Sequence, residues 1–176
     1  MSEIEQALRQ VRLFESLSDE ELRRLAEVGR IEYWREGAPI LEEGAYGPRM
    51  MAILEGRVEV LRRDEGGIQR RITELGQGEI LGEMSLLLDL PRTATVRALE
   101  PLRAFAMDRA AFTERVEAGD TAVLKLGLQI SRVLARRLIH LNDRMVELLA
   151  GSEATRPLRE RFGEARQEIF TLWDVE

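Results

Sequence analysis

The chain has 176 residues, enough for one well-cored domain with an additional segment and too few for two domains of ordinary size. Its 26 basic and 32 acidic residues leave a net charge of −6, which argues against electrostatic attraction to nucleic acid. There is no cysteine, so disulfides, thiolate metal sites, iron–sulfur clusters and cysteine nucleophiles are excluded. Neither a signal peptide nor a bilayer-spanning apolar run is recognisable, and we expect a cytoplasmic location with no membrane partner.

Residues 1–29 carry apolar side chains at mostly helical spacing. The stretch "SDEE", starting at Ser18, has the pattern of a capping box, in which a serine and a glutamate three residues later satisfy the first amides of a helix. The segment therefore predicts two short helices, the second ending at Gly29.

From Ile31 to about Met107 the pattern changes to short runs of alternating or β-branched residues, interrupted by glycine-containing turns about every ten residues. The stretch "VEVLRRDEGGIQRRITEL" is the clearest hairpin, with its turn at Asp64 to Gly67. Such a pattern predicts a sandwich or barrel-like roll of antiparallel strands.

The stretch "GEMSLLLDLPRTATVRA", which begins at Gly82, has an unusual composition. A glycine followed by "EMSLLL" predicts a single helical turn whose first amides, on Glu83, Met84 and Ser85, have no intrahelical partner. Free amides and the helix dipole favour an anion at that end, and Gly82 lets a ligand approach the backbone closely.

Arg92 and Glu83 give this stretch its chemistry. A guanidinium facing the helix start would complete a site for a phosphate, and a carboxylate beside it would serve to accept a hydrogen bond from a sugar hydroxyl. A ribose phosphate fits this combination. The residues alone leave open a simpler interpretation, in which Arg92 and Glu83 form an ion pair that braces a loop around an ordinary turn glycine.

A long helix is predicted from about Thr121 to Leu149. Eight of its residues follow the alternating spacing of a coiled-coil seam: Leu124, Leu128, Ser131, Ala135, Leu138, Asn142, Met145 and Leu149. Six further apolar residues give the helix a second apolar face: Leu126, Ile130, Val133, Leu134, Ile139 and Leu141. One face can pack on the chain's own strands and the other on a partner, which predicts a homodimer.

The order GE, MSLLL and PRTATV resembles the phosphate-binding cassette of the cyclic nucleotide-binding domain family, which bacterial cyclic-AMP receptor proteins, cyclic-nucleotide-dependent kinases and gated channels share. The upstream stretches "REGAPILEEG" and "MAILEGRVEVLRR" are similar to the glycine-marked corners of the family's roll. The resemblance runs from about Leu8 to Leu149. It implies a mainly β fold with flanking helices: a β-roll, jelly-roll-like and of the double-stranded β-helix type, with N-terminal helices and a long C-terminal helix.

The resemblance implies a ligand and residues that bind it. The ligand is a cyclic nucleotide, cyclic AMP in preference to cyclic GMP, and no cofactor is expected. Glu83 would accept the ribose 2′-hydroxyl, and Arg92 would pair with the cyclic phosphate. The remaining phosphate contacts are assigned to the backbone and neighbouring groups of Gly82, Met84, Ser85, Thr93 and Ala94. In this family a threonine after the arginine can also bond a guanine amino group, unless Thr93 is simply a β-branched strand residue.

The resemblance also implies that the long helix covers the base, sometimes from the neighbouring subunit. Arg137 and Asn142 are the polar residues assigned to the base, with Leu141 as an apolar lid. Asn142 also lies on the coiled-coil seam, where a buried asparagine fixes register by pairing with its twin. Both roles remain open, and a site that served both would couple the ligand to dimer geometry.

Other functions have less support from the sequence. His140 is the only histidine and is expected on a helix surface, so neither a metal site of the cupin type nor a catalytic set can be assembled. We therefore predict no enzyme activity and divide the chain into a binding domain, 1–150, and an amphipathic tail, 151–176. The tail is too short for a helix-turn-helix unit, which argues against DNA binding. It is a candidate site for a protein partner, and the alternative is a helix that folds back and packs on the chain's own roll. The competing hypothesis is a dimeric scaffold that keeps the fold without a ligand.

Overall fold

The computed structural model describes residues 2–88 and 90–150, with the side chains of 148–150 excepted. This part of the chain contains five helices and eight strands, in the order α1 Glu3–Arg9, α2 Asp19–Val28, β1 Gly29–Trp34, β2 Pro39–Leu41, β3 Arg49–Glu55, β4 Val58–Arg63, β5 Gln69–Leu75, β6 Ile80–Leu81, α3 Glu83–Leu87, β7 Thr95–Ala98, β8 Leu102–Asp108, α4 Arg109–Glu117 and α5 Thr121–Ala150. A 3₁₀ turn, Arg12–Phe14, separates α1 from α2.

The strands form two four-stranded antiparallel sheets. One has the order β1-β8-β3-β6 and the other β2-β7-β4-β5, so strands distant in sequence lie side by side. The predicted β-roll with flanking helices is confirmed, as is the hairpin, in which β4 and β5 pair and the amide of Gly67 donates to the carbonyl of Asp64.

The core lies between the two sheets. Its buried residues come from both: Ile40, Leu41, Met51, Ile53, Val58, Leu75, Leu81, Val96, Ala98, Leu102, Ala104 and Ala106. Alternate residues of the strands point to opposite faces of a sheet, so the neighbouring residues of β8 turn towards the helices. There Phe105 packs edge to face on Phe14, with ring centroids 5.9 Å apart. The roll thus buries apolar side chains on both faces of its first sheet.

Local capping starts α2 as predicted. The Ser18 hydroxyl accepts from the amide of Glu21 at 3.3 Å, while the Glu21 carboxylate accepts from the amide of Ser18 at 2.8 Å. The same carboxylate oxygen also accepts from Lys125 Nζ at 2.9 Å, which joins α2 to the first turns of α5. Helix α4 was not predicted, because only Phe112 of its nine residues is buried and its apolar pattern is weak.

The chain divides into two compact units, 1–130 and 131–176. This boundary falls inside α5, earlier than the division after residue 150 that the sequence suggested. In the first unit, Ala122, Val123, Leu126 and Ile130 are buried, so one apolar face of α5 packs as predicted on its own domain. Leu124 and Leu128, on the predicted seam, are 47% and 52% exposed.

The described part of the second unit is the remainder of α5. Its seam residues Leu138 and Met145 are exposed, as are Ile139 and Leu141 of the second apolar face. The predictions for the tail, 151–176, and for the side chain of Leu149 lie outside the described residues. No helix in the described ranges is both long and apolar enough to cross a membrane.

Candidate functional site

The short helix α3 begins as the sequence predicted. Gly82 is its N-cap residue and adopts a left-handed conformation, with φ 72° and ψ 9°, that glycine tolerates best. Space requires glycine as well, because a Cβ at this position would lie 2.5 Å from Arg92 Nη1 and 2.7 Å from the carbonyl oxygen of Arg49. The start of α3 is therefore packed closely against the arginine that sequence analysis assigned to the phosphate.

Arg92 is buried, with 6% of the residue exposed, and its backbone is fixed by a neighbouring loop. Its amide donates to the carbonyl of Ala45 at 2.9 Å, and its carbonyl accepts from the amide of Gly44 at 2.8 Å. The guanidinium donates from Nη1 to the carbonyl of Gly82 at 3.3 Å, and a Cβ on Gly47 would lie 3.3 Å from Nη2. The predicted approach of Arg92 to the start of α3 is confirmed.

Within residues 2–88 and 90–150, no carboxylate forms an ion pair that would compensate the charge of Arg92, and the Arg92 side chain makes a single hydrogen bond, to a backbone carbonyl. Burial lowers the pKa of Arg92, the positive charge of Arg49 lowers it further, and the charge of Glu83 partly offsets both. A buried cation that reaches no counter-ion is suited to an anionic ligand. The simpler interpretation, an ion pair between Arg92 and Glu83, is not what the structure contains.

The other cassette residues lie on α3 and in the segment before β7. Glu83 and Ser85 are buried on α3, whereas Met84 is exposed. Thr93 is exposed and Ala94 half-buried, and both precede β7, which starts at Thr95. Thr93 is therefore not a strand residue, and its side chain is accessible. Of these residues, Gly82 is in direct contact with the Arg92 guanidinium and the charge of Glu83 acts on it. The roles of all of them towards a ligand stay predictions.

The residues assigned to the base are on the last part of α5. Asn142 is exposed and Arg137 is half-buried, and both belong to the second unit. Their contact with a base, and the pairing of Asn142 with its twin in a dimer, stay predictions. His140 is exposed, as expected.

Sequence analysis missed the loop between β2 and β3. Its residues Gly44, Ala45 and Gly47 surround Arg92, although they are more than forty positions away in the sequence. The signal was present in "EEGAYG", residues 42–47, whose two closely spaced glycines are typical of a turn. Only Gly44 was interpreted there, as the end of a corner of the roll. Arg49, at the start of β3, follows this loop directly and was also missed.

The buried guanidinium of Arg92 favours an anion over a metal cation at this place. Among residues 2–88 and 90–150 no group of three histidines or carboxylates is arranged to hold a metal ion. This stretch of the chain carries a buried guanidinium, Arg92, together with a buried carboxylate, Glu83, and a buried hydroxyl, Ser85, on the helix that follows Gly82. This set matches a phosphate ester that also carries a hydroxyl group.

Comparison with known proteins gives a consistent assignment. The family model described as cyclic nucleotide-binding domain matches residues 31–118. A CRP-like cAMP-activated global transcriptional regulator from Mycobacterium tuberculosis is 32% identical over 113 residues, which cover 64% of this chain and 49% of the regulator. The chain thus spans about half or less of the length of the curated relatives it matches.

Solved structures share the fold. A cyclic nucleotide-binding domain from Methylobacillus flagellatus superposes with a TM-score of 0.73 at 25% identity, over 85% of this chain and 84% of that domain. The regulatory subunit of a cAMP-independent protein kinase A from Trypanosoma brucei superposes with a TM-score of 0.62 at 26% identity, over 75% of this chain and 44% of the subunit.

Proposed function

The chain belongs to the cyclic nucleotide-binding domain family, and we propose that it is a regulatory module that binds cyclic AMP or cyclic GMP through residues 82–94. The observation that carries this proposal is the state of Arg92, a buried guanidinium next to the start of α3 with no carboxylate partner in the described ranges. A cyclic phosphate carries the single negative charge that this position lacks.

Each cassette residue has a task in the proposed complex. Arg92 pairs with the cyclic phosphate, and the backbone at Gly82 with the amides of Met84 and Ser85 supplies further donors to its oxygens. Glu83 accepts a hydrogen bond from the ribose 2′-hydroxyl, which explains why a buried carboxylate stands beside an anion site.

The base is proposed to meet Thr93 and the last part of α5. Thr93 is exposed next to Arg92, where its hydroxyl is available to a purine. Arg137 and Asn142 are the proposed contacts from the helix. We propose cyclic AMP as the preferred ligand. Cyclic GMP is the alternative, because the Thr93 hydroxyl could bond the amino group of guanine.

The output is proposed to pass through α5. Its seam residues Leu124, Leu128, Leu138 and Met145 are exposed in the single chain, which supports a homodimer through this helix. Binding that contacts both the cassette and the helix would favour one placement of α5 over another. A partner of the tail, 151–176, would then receive the signal.

We propose no catalytic role, no resident cofactor and no DNA contact for this chain, and a cytoplasmic location. Two of the relatives it matches in this region are a transcriptional regulator and a kinase regulatory subunit. In the described ranges no nucleophile-and-base pair stands at the cassette, where the titratable groups are Glu83, Arg92 and Arg49.

A second candidate function is a dimeric scaffold that works without cyclic AMP. One observation favours it, namely that a solved relative with this fold is the regulatory subunit of a protein kinase A described as cAMP-independent. The intact cassette of this chain favours the sensor.

Calorimetric titration of the refolded, ligand-stripped protein with cyclic AMP and, separately, cyclic GMP tests the proposal. The sensor predicts micromolar or tighter binding of at least one nucleotide. Absence of binding by both nucleotides would refute the sensor and leave the scaffold as the remaining candidate.

Sedimentation of the wild type and a Leu128→Asp variant tests the dimer, since a charge at the seam should yield monomers. A matched Arg132→Asp change on the exposed surface should leave the dimer intact.

A further inference from the structure

The backbone of a second arginine, Arg49, contacts two glycines that also lie against the Arg92 guanidinium, Gly82 and Gly47. The carbonyl oxygen of Arg49 and Nη1 of Arg92 both lie against the α-carbon of Gly82, 2.7 and 2.5 Å from where a Cβ would stand. The amide of Arg49 donates to the carbonyl of Gly47 at 2.9 Å, and Gly47 lies against Arg92 Nη2. The backbone of Arg49 therefore lies next to the residues that surround the Arg92 guanidinium.

The side chain of Arg49 is neutralised by a carboxylate from another strand. Its Nη1 donates to both oxygens of Glu32 on β1, at 3.0 and 3.1 Å. Glu32 also accepts from Arg30 Nε at 2.8 Å, and Arg30 in turn pairs with Asp108 at 2.7 Å. The result is a row of alternating charges across the first sheet, with Arg49 at the end nearest to the cassette.

The positive charges of Arg49 and Arg92 repel each other. The positive charge of Arg49 contributes to the lowered pKa of Arg92, second only to burial. Arg49 therefore raises the positive potential at the site, and Glu32, which binds Arg49, reduces it. An anion that enters the site would experience the sum of these charges, and because both side chains are partly exposed, added salt would weaken their effect.

We propose that Arg49 and Glu32 set the affinity of the cassette for its anionic ligand in opposite directions, with Arg49 favouring the anion and Glu32 opposing it. This inference rests on the proposed function and adds a pair of residues outside the 82–94 segment. Both side chains are partly exposed, at 31% and 19%, so the pair can be altered without opening the core. Glu32 retains Arg30 when Arg49 is changed, which limits the effect on folding.

The test uses the full chain and four proteins: the wild type, Arg49→Gln, Glu32→Gln and the double variant. Titration with cyclic AMP and cyclic GMP at low salt should show about threefold to tenfold weaker binding for Arg49→Gln and about threefold tighter binding for Glu32→Gln. The double variant should return to within about threefold of the wild type, as the two opposite shifts combine. All differences should shrink when sodium chloride rises from about 50 to about 500 mM, because salt screens partly exposed charges.

A matched control is available on the same strand. Glu55, at the other end of β3, pairs with Arg103 at 2.8 Å. The six intervening steps separate it from Arg49 by about 20 Å, beyond the screening length at physiological salt. Glu55→Gln and Arg103→Gln should therefore leave the affinity unchanged within about twofold, and melting temperatures without ligand identify any variant that fails to fold.

The outcomes separate the two levels of the proposal. Opposite shifts for the two single variants support the inference. A purely structural ion pair predicts shifts of the same sign or none, and either result for folded variants overturns the inference while leaving the sensor intact. A wild type that binds neither nucleotide overturns the proposed function and this inference with it.

Discussion

Arg92 in the cassette and Glu21 at the contact of α2 with α5 are equally buried charges, each 6% exposed, in very different surroundings. Glu21 accepts hydrogen bonds from Lys125 and from the amide of Ser18, and these bonds lower its pKa to about 2. The side chain of Arg92 has one hydrogen bond among the described residues, to the carbonyl of Gly82, and the pKa of Arg92 is also lowered, mainly by burial. A lowered pKa means a stabilised charge for the acid and a destabilised charge for the base. The charge of Glu21 is thus satisfied by groups of the chain itself, and that of Arg92 is the one we propose an anionic ligand to satisfy.

The largest expected effect is on ligand binding at Arg92. Arg92→Ala removes the partner of the phosphate and should weaken cyclic nucleotide binding by about 2 to 5 kcal/mol, measured by calorimetry. Arg97→Ala is the matched control, because Arg97 already pairs with Glu59 at 3.5 Å on the neighbouring strand. Equal losses for the two variants would contradict the special role of Arg92.

Gly82→Ala tests how closely α3 must approach Arg92. The left-handed backbone and the short distances to Arg92 and Arg49 predict a loss of about 2 to 3 kcal/mol in the free energy of unfolding. Gly37 has a similar φ of 75° with open space around its Cβ position, so Gly37→Ala should cost only about 1 kcal/mol. Urea unfolding measures both, and identical losses would mean that the contact with Arg92 adds nothing.

Glu83→Gln sharpens the assignment of the ribose contact. The change should weaken cyclic AMP binding by about 1 to 2 kcal/mol, because a charged acceptor becomes a neutral one. The same variant should bind 2′-deoxy cyclic AMP as well as the wild type does, since that ligand lacks the hydroxyl. A loss of equal size for both ligands would assign Glu83 to the fold rather than to the ribose.

The smallest effect is expected at Glu21, whose charge is satisfied by groups of the chain itself. Glu21→Gln should lower the free energy of unfolding by about 1 kcal/mol at pH 7 and leave nucleotide affinity unchanged. The folded pKa of about 2 lies below the usual 4.5, so the stability from Glu21 is present above pH 4.5 and is lost as the pH falls towards 2. Urea unfolding of both proteins over this range should show their difference vanish. Glu20→Gln, on the exposed side of α2, is the control and should show no such trend.

Local patterns made part of this molecule predictable. The capping box at Ser18, the helical turn after Gly82 and the hairpin at Asp64 depend on neighbours in sequence, and all three form as expected. The cassette was identified because its residues are contiguous and their order resembles a known family.

Contacts between distant residues were not predictable. The loop around Arg92 approaches from more than forty positions away, and the ion pair of Glu32 with Arg49 depends on how the strands order themselves in the first sheet. Helix α4 escaped prediction because it buries only one side chain. A single sequence gives no direct signal for such pairings, which arise only when the roll closes.

The central claim is that the buried guanidinium of Arg92 binds the anionic group of a ligand. The most direct measurement is thermal unfolding of the wild type and Arg92→Ala, each with and without saturating cyclic AMP. The account predicts that the melting temperature of the ligand-free variant is at least as high as that of the ligand-free wild type, because a buried charge without an ion-pair partner is removed. Only the wild type should then gain stability with the nucleotide. A variant that is stabilised by cyclic AMP as much as the wild type would contradict the account.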